Sequence, residues 1–229
     1  MARIKSVSRG CSGRSSFTLV EILVVCAIMG IMMYVSLPAF EKILVGTGVD
    51  LAARNTTSRL GMARNYAIST RKCIALLMPT SGLPDQYCYG ANRMCIVNSN
   101  GTYDSGTLVT TYTFQRWVQS ENWEFTNPGS VIIDVDNIAG CSGTALVHEQ
   151  VDGVKCSDIE AGYATVNNVR AIIFKPSGKI ACDTLSYSDR FVTVGEGAYS
   201  AGALIWKNRS NVIDVKIEKY TGRVSYGNK

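Results

Sequence analysis

Hydrophobic and polar positions along this chain change their rhythm twice. Residues 17–37, FTLVEILVVCAIMGIMMYVSL, are apolar on every side of a helix and interrupted by one acid, Glu21. About twenty such residues at 1.5 Å each reach across a bilayer's hydrocarbon core, so the run predicts a transmembrane helix. After Pro38 the pattern turns amphipathic and predicts a helix continuing to about Ile68. Val45, Val49, Ala52, Thr56, Leu60, Ala63 and Ala67 recur at three- and four-residue steps, a narrow stripe of small side chains. Lys42, Arg54, Arg59 and Arg64 fall largely off that stripe. Gly46 and Gly48 each weaken a helix by roughly 1 kcal/mol relative to Ala, so a bend or local melting is expected there.

From Cys73 the period shortens to that of strands. Residues 73–78, 94–97, 108–116 and 131–135 read as β-runs, the last after an Asn127-Pro128-Gly129 turn. Residues 169–174 and 179–184 flank Pro176-Ser177-Gly178, and 212–218 returns through 223–226 after Tyr220-Thr221-Gly222, giving two hairpins. Residues 191–194 and 203–206 are further strand candidates. Residues 140–164 lack periodicity and hold two cysteines, so a stapled surface loop is expected. The fold class that follows is α+β: a long N-terminal transmembrane α-helix carrying an antiparallel β-sheet or β-sandwich globular domain over 69–229.

Charge sets the direction of the apolar run. Arg3, Lys5, Arg9 and Arg14 precede it with no acid among them, which places the N-terminus in the cytoplasm and the remainder outside. The formal charge of +5 is mostly theirs: without them 19 basic side chains face 18 acidic ones, a net of +1. A body so nearly neutral offers no electrostatic footprint for nucleic acid. Cys11 precedes the run and Cys26 lies in it, leaving Cys73, Cys88, Cys95, Cys141, Cys156 and Cys182 in the outer part. An even set outside the cytoplasm reads as disulfides, and the local pairs Cys88–Cys95 and Cys141–Cys156 leave Cys73 with Cys182.

The N-terminal pattern resembles the prepilin signature of type IV pilins and type II secretion pseudopilins. In that family a basic leader is cut before a Phe, the new N-terminus is methylated, and a Glu stands fifth after the cut. Phe17-Thr18-Leu19-Val20-Glu21 keeps that register, and Pro38 falls where many pilins carry a helix-bending proline. The residue before the cut is usually Gly; here it is Ser16, the nearest Gly being Gly13. The resemblance implies a prepilin leader over 1–16, a transmembrane half-helix over 17–37, an amphipathic periplasmic half over 38–68 and a globular pilin domain beyond. It also implies prepilin peptidase, the inner-membrane assembly platform and other pilins or pseudopilins as partners, in a single-pass protein of the bacterial inner membrane. Three further stretches look like the GspH/FimT family of minor pilins and pseudopilins: Leu60-Gly61-Met62-Ala63-Arg64-Asn65-Tyr66-Ala67-Ile68, Ile172-Ile173-Phe174-Lys175-Pro176-Ser177-Gly178-Lys179, and Thr221-Gly222-Arg223-Val224.

Candidate chemistry is sparse. His148 is the sole histidine, Asp134 and Asp136 flank Val135 as strand-end acids, and no metal or phosphate-binding signature is present, so neither enzyme activity nor a cofactor is expected. An acid within a membrane span costs up to roughly 3 kcal/mol. The pilin resemblance implies that Glu21 pairs with the free amine of Phe17 as helices gather into a filament. Two alternatives stand beside a structural subunit of a pseudopilus or pilus. One is a minor pilin binding DNA in uptake, through Lys216, Lys219 and Arg223, although the chain has Gly222-Arg223-Val224-Ser225 where DNA-binding relatives have Gly-Arg-x-Arg. The other is a signal-anchored adhesin or receptor displaying Tyr87, Tyr89, Trp117 and Trp123.

Overall fold

The computed structural model describes residues 18–104, 107–133, 149–159, 165–181 and 189–227, with side chains 35–46, 102–109 and 226–227 left aside. The chain divides into two compact units, Met1–Ile43 and Leu44–Lys229. Among the described residues one helix, α1 (Leu19–Thr70), enters both and is followed by ten strands. It runs unbroken through Pro38, Gly46 and Gly48, so the melting expected at the glycines does not occur. Burial of Val49, Ala52 and Ala53 just beyond them supplies the packing that outweighs two glycine penalties. Arg71, at φ 54°, takes the left-handed conformation that ends α1 and turns the chain into β1.

In the second unit the strands form two sheets. The first contains β1 (Cys73–Leu77), β2 (Ala91–Asp104), β3 (Thr107–Trp117), β4 (Glu124–Phe125), β6 (Glu149–Asp152) and β7 (Val169–Phe174), ordered β1-β7-β6-β3-β2-β4. Because β1 also pairs with β2, five of these strands close on themselves as a small barrel. The second sheet contains β5 (Ser130–Ile133), β8 (Arg190–Ser200), β9 (Ala203–Ile217) and β10 (Val224–Gly227), ordered β10-β9-β8-β5. Pairing is antiparallel throughout except for β3 with β6, where Tyr112 and Thr113 lie beside Val151 and Asp152.

Strand alternation divides the core in two. Ala75, Leu77, Cys95, Val97, Tyr112, Val151, Val169, Ala171 and Ile173 point into the barrel. Most are small, as the narrow interior of a five-stranded closure requires. Their neighbours Ile74, Leu76, Met94, Ile96, Ile172 and Phe174 point out of it, where the α1 stripe and the second sheet cover them. Ala52, Ala53, Leu60, Ala63 and Ala67 meet Val192, Val194, Ile213, Val215 and Ile217 there. Both faces of β1 and β7 are therefore buried.

Several expectations need correcting. The supposed loop over 140–164 contains β6, whose Val151 is inaccessible and which closes the barrel between β3 and β7. A four-residue strand held from both sides needs no periodicity of its own. Residues 203–206 and 212–217 belong to one strand, β9, interrupted by an irregularity opposite Gly195, Glu196 and Gly197. Of the second arm of the first hairpin, residues 182–184 lie outside the described residues, and the described part forms one bridge, Phe174 with Ile180. Arg59, placed off the helix stripe, is buried.

Candidate assembly surfaces

The first turn of α1 is organised by Thr18. Its hydroxyl accepts the Glu21 N–H at 3.2 Å, and its carbonyl accepts the Ile22 N–H at 3.2 Å. Thr18-Leu19-Val20-Glu21 has the Thr-x-x-Glu spacing of a capping box, so Glu21 also favours the helix N-terminus through its charge. Downstream, Leu19, Leu23, Met29, Met33, Tyr34 and the other large apolar side chains of 19–34 are all exposed, from 46% at Val25 to 80% at Leu19 and Tyr34. A helical segment apolar on every side is of the kind buried in lipid or among other helices. Covering its twelve large side chains is worth on the order of 20 kcal/mol. Among the described residues no helix is long and apolar enough to cross a membrane. The span expected over 17–37 runs past the described side chains at both ends. Ser16, Phe17, Asp134, Asp136, Cys141, His148 and Cys182 lie outside the described residues, and the Pro38 side chain is likewise not described.

The three GspH/FimT-like stretches, over 150 residues apart at their extremes, converge at one place in the second unit. The Arg64 guanidinium donates through Nε to the Thr221 carbonyl at 2.9 Å. Gly222 sits at φ 64° with its α-carbon so close to the Gly178 carbonyl that a methyl group would lie 1.9 Å from that oxygen. A methyl on Gly178, itself at φ 79°, would meet Ile68 at 2.9 Å. Helix exit, Pro-Ser-Gly turn and Thr-Gly turn thus interlock. The glycines are required both by left-handed φ and by close approach.

Arginines that periodicity did not single out do much of the remaining polar work. Arg59 donates to Glu121 at 2.6 Å, Glu124 at 2.9 Å and Asn92 at 3.2 Å, fastening α1 to the β2–β4 region. Its spacing from Ala52, Thr56 and Ala63 matches the buried helix face, a signal that was present in the sequence. Arg170 donates to the carbonyls of Met78 at 3.0 Å and Ile132 at 3.0 Å, joining the barrel to the second sheet. The Arg93 guanidinium lies 3.8 Å from the centre of Trp117. Tyr87, Trp117 and Trp123 form edge-on pairs, Tyr87 with Trp123 at 5.4 Å and Trp117 with Trp123 at 5.6 Å. Tyr89 meets Tyr199 at 5.1 Å. These aromatics are partly buried against the barrel core and do not form an open display.

The cation cluster near the C-terminus is partly spent internally. Lys216 on β9 reaches Asp189 at 2.8 Å, and the Lys219 N–H donates to the same carboxylate at 3.0 Å. Lys216 holds the Asp189 carboxyl below the usual carboxylate range, and Asp189 raises the Lys216 ammonium in turn. Arg223 is exposed in the adjoining turn. The cysteines also depart from expectation: Cys73, Cys88, Cys95 and Cys156 are free thiols. No bond joins Cys88 to Cys95, and the Cys88 thiol donates to the Leu83 carbonyl at 3.3 Å. The other two expected pairs each involve a cysteine outside the described residues.

With the geometry in view, residues 11–33 match the family model described as the prokaryotic N-terminal methylation motif. That match covers about a tenth of the chain and concerns its N-terminal segment alone. Among solved structures it is similar to the type IV minor pilin FimU of Pseudomonas aeruginosa (strain PAO1), at 12% identity. That match covers 80% of this chain and 90% of the other, with a TM-score of 0.40. No protein of curated function matches.

Proposed function

We propose that this chain is a minor pilin or pseudopilin, a structural subunit of a type IV pilus or type II secretion pseudopilus. Prepilin peptidase cuts between Ser16 and Phe17, and the Phe17 amine is methylated. Before assembly the mature helix is a single-pass anchor in the inner membrane, its N-terminus cytoplasmic and its β domain periplasmic. The reading is carried by the Phe17–Glu21 register inside the matched motif. The uncovered apolar side chains of 19–34 support it, since other subunits and the assembly platform supply what would bury them.

Glu21 gives assembly its selectivity. A carboxylate and an ammonium are each penalised alone in a low-dielectric helix bundle, and pairing relieves both. Pro38 adapts the helix to its neighbours in the filament. DNA binding is the weaker reading, because Lys216 already serves Asp189.

The test is mass spectrometry of the N-terminal peptide from membrane-extracted protein, in cells with and without prepilin peptidase. An N-methylated Phe17 is expected with the enzyme and Met1 without it; a chain beginning at Met1 in both refutes processing. In the same cells Glu21→Leu should insert normally yet be lost from the sheared filament fraction. Wild-type incorporation of that variant would remove the proposed role of the acid.

A further inference from the structure

Two thiols inside the barrel have no role in the account so far. Cys95 lies within β2, directly across from Ala75 on β1 and from Trp117 on β3. Cys156 follows β6 and opens a turn closed by the Ile159 N–H on the Cys156 carbonyl at 2.9 Å. Both are wholly inaccessible and belong to one buried cluster with Ala75, Val97 and Val151. Two residues before Cys95 and two after Cys156, the Arg93 guanidinium donates to the Asp158 carboxylate. Arg93 and Cys95 occupy the same face of β2. The ion pair therefore ties the segment after β6 to β2, two residues from each cysteine. Arg93 is itself fixed by Trp117 and by its Nε donating to the Glu121 carbonyl at 3.1 Å, so the tie is held from two sides.

We infer that Cys95 and Cys156, both thiols in this structure, are joined on oxidation by a disulfide that staples the β6 segment to β2 across the barrel. β6 is the stave that most needs one, since it is joined to β3 over two residue pairs and to β7 over three. Cys95–Cys156 replaces both Cys88–Cys95 and Cys141–Cys156, and leaves Cys73, Cys88, Cys141 and Cys182 for other pairings. In forming it, the two thiols give up two protons and two electrons. A disulfide oxidant accepts them through a mixed disulfide and leaves as two thiols. Burial pushes the Cys156 thiol up to about 11 and the Cys95 thiol higher still, so neither is a ready thiolate in the folded barrel. Exchange thus precedes closure of the barrel, and the finished bond is shielded from reductant.

Trypsin separates the alternatives cleanly. Cleavage after Arg93, Arg116, Lys155 and Arg170 puts Cys95 alone on peptide 94–116 and Cys156 alone on 156–170, with Cys73 and Cys88 on 73–93 and Cys141 on 117–155. The full chain in detergent is reduced, denatured and refolded with reduced and oxidised glutathione, then alkylated, digested without reductant and mapped. The expected product is 94–116 joined to 156–170, lost on reduction. Either peptide joined to any other, or both recovered alkylated, overturns the inference. The oxidant is supplied in vitro, so the outcome does not depend on the cellular compartment.

Discussion

Gly222 offers the most demanding test of how the second unit is held together. Replacing it with Ala forces an L-residue into φ 64°, which costs about 1 kcal/mol. The added methyl would also stand 1.9 Å from the Gly178 carbonyl oxygen, and both groups are backbone, so the two turns must separate. Separation strains the Arg64–Thr221 contact at 2.9 Å and the Gly222 N–H to Glu218 carbonyl bond at 2.8 Å, each worth about 1 kcal/mol net. The total is about 3 kcal/mol. With a urea slope of about 2 kcal/mol per molar, the unfolding midpoint should fall by about 1.5 M, read by tryptophan fluorescence of the full chain in detergent. Gly202 is the control: it has φ 75° in the β8–β9 turn but nothing within 4 Å of an added methyl. Gly202→Ala should carry only the conformational cost, a drop of about 0.5 M. If Gly222→Ala shifts the midpoint no further than Gly202→Ala does, the interlocking of the two turns contributes nothing and the argument fails.

Two other perturbations probe the polar framework. Arg59→Met removes a buried cation from Glu121 and Glu124 and should cost about 3 kcal/mol. A double-mutant cycle with Glu121→Gln should return a coupling above about 1 kcal/mol, and a value near zero would make the contact no better than a surface pair. The Asp189–Lys216 pair sets a pH dependence with a definite sign. Asp189 is lowered on folding, so its contribution is present above about pH 4 and is lost as pH falls through its lowered native value. Lys216 is raised, so its contribution is present below about pH 10 and is lost as pH rises through its raised value. The melting temperature of Asp189→Asn should therefore trail the wild type by a constant margin from pH 5 to 9 and converge with it in acid. A margin unchanged down to pH 2 would refute the linkage.

Local chemistry was enough to write down much of this molecule from its residues alone. The apolar run, the stripe from Val49 to Ala67 and strand β7 at Val169–Phe174 all follow from period and turn residues that act within a few positions of themselves. The pairing of Phe17 with Glu21 in one motif is likewise a matter of spacing. What tertiary structure decided lies in contacts between distant segments. β6 is a strand because β3 and β7 flank it, not because Glu149-Gln150-Val151-Asp152 prefers to be one. Arg59 is inside because two acids that arrive more than sixty residues later neutralise it. Cys95 lies inside because alternation along β2 turns it inward, and closure of the barrel brings Cys156 after β6 into the same buried cluster. Periodicity reports which side of an element is apolar; only the order in which strands close determines what that side meets.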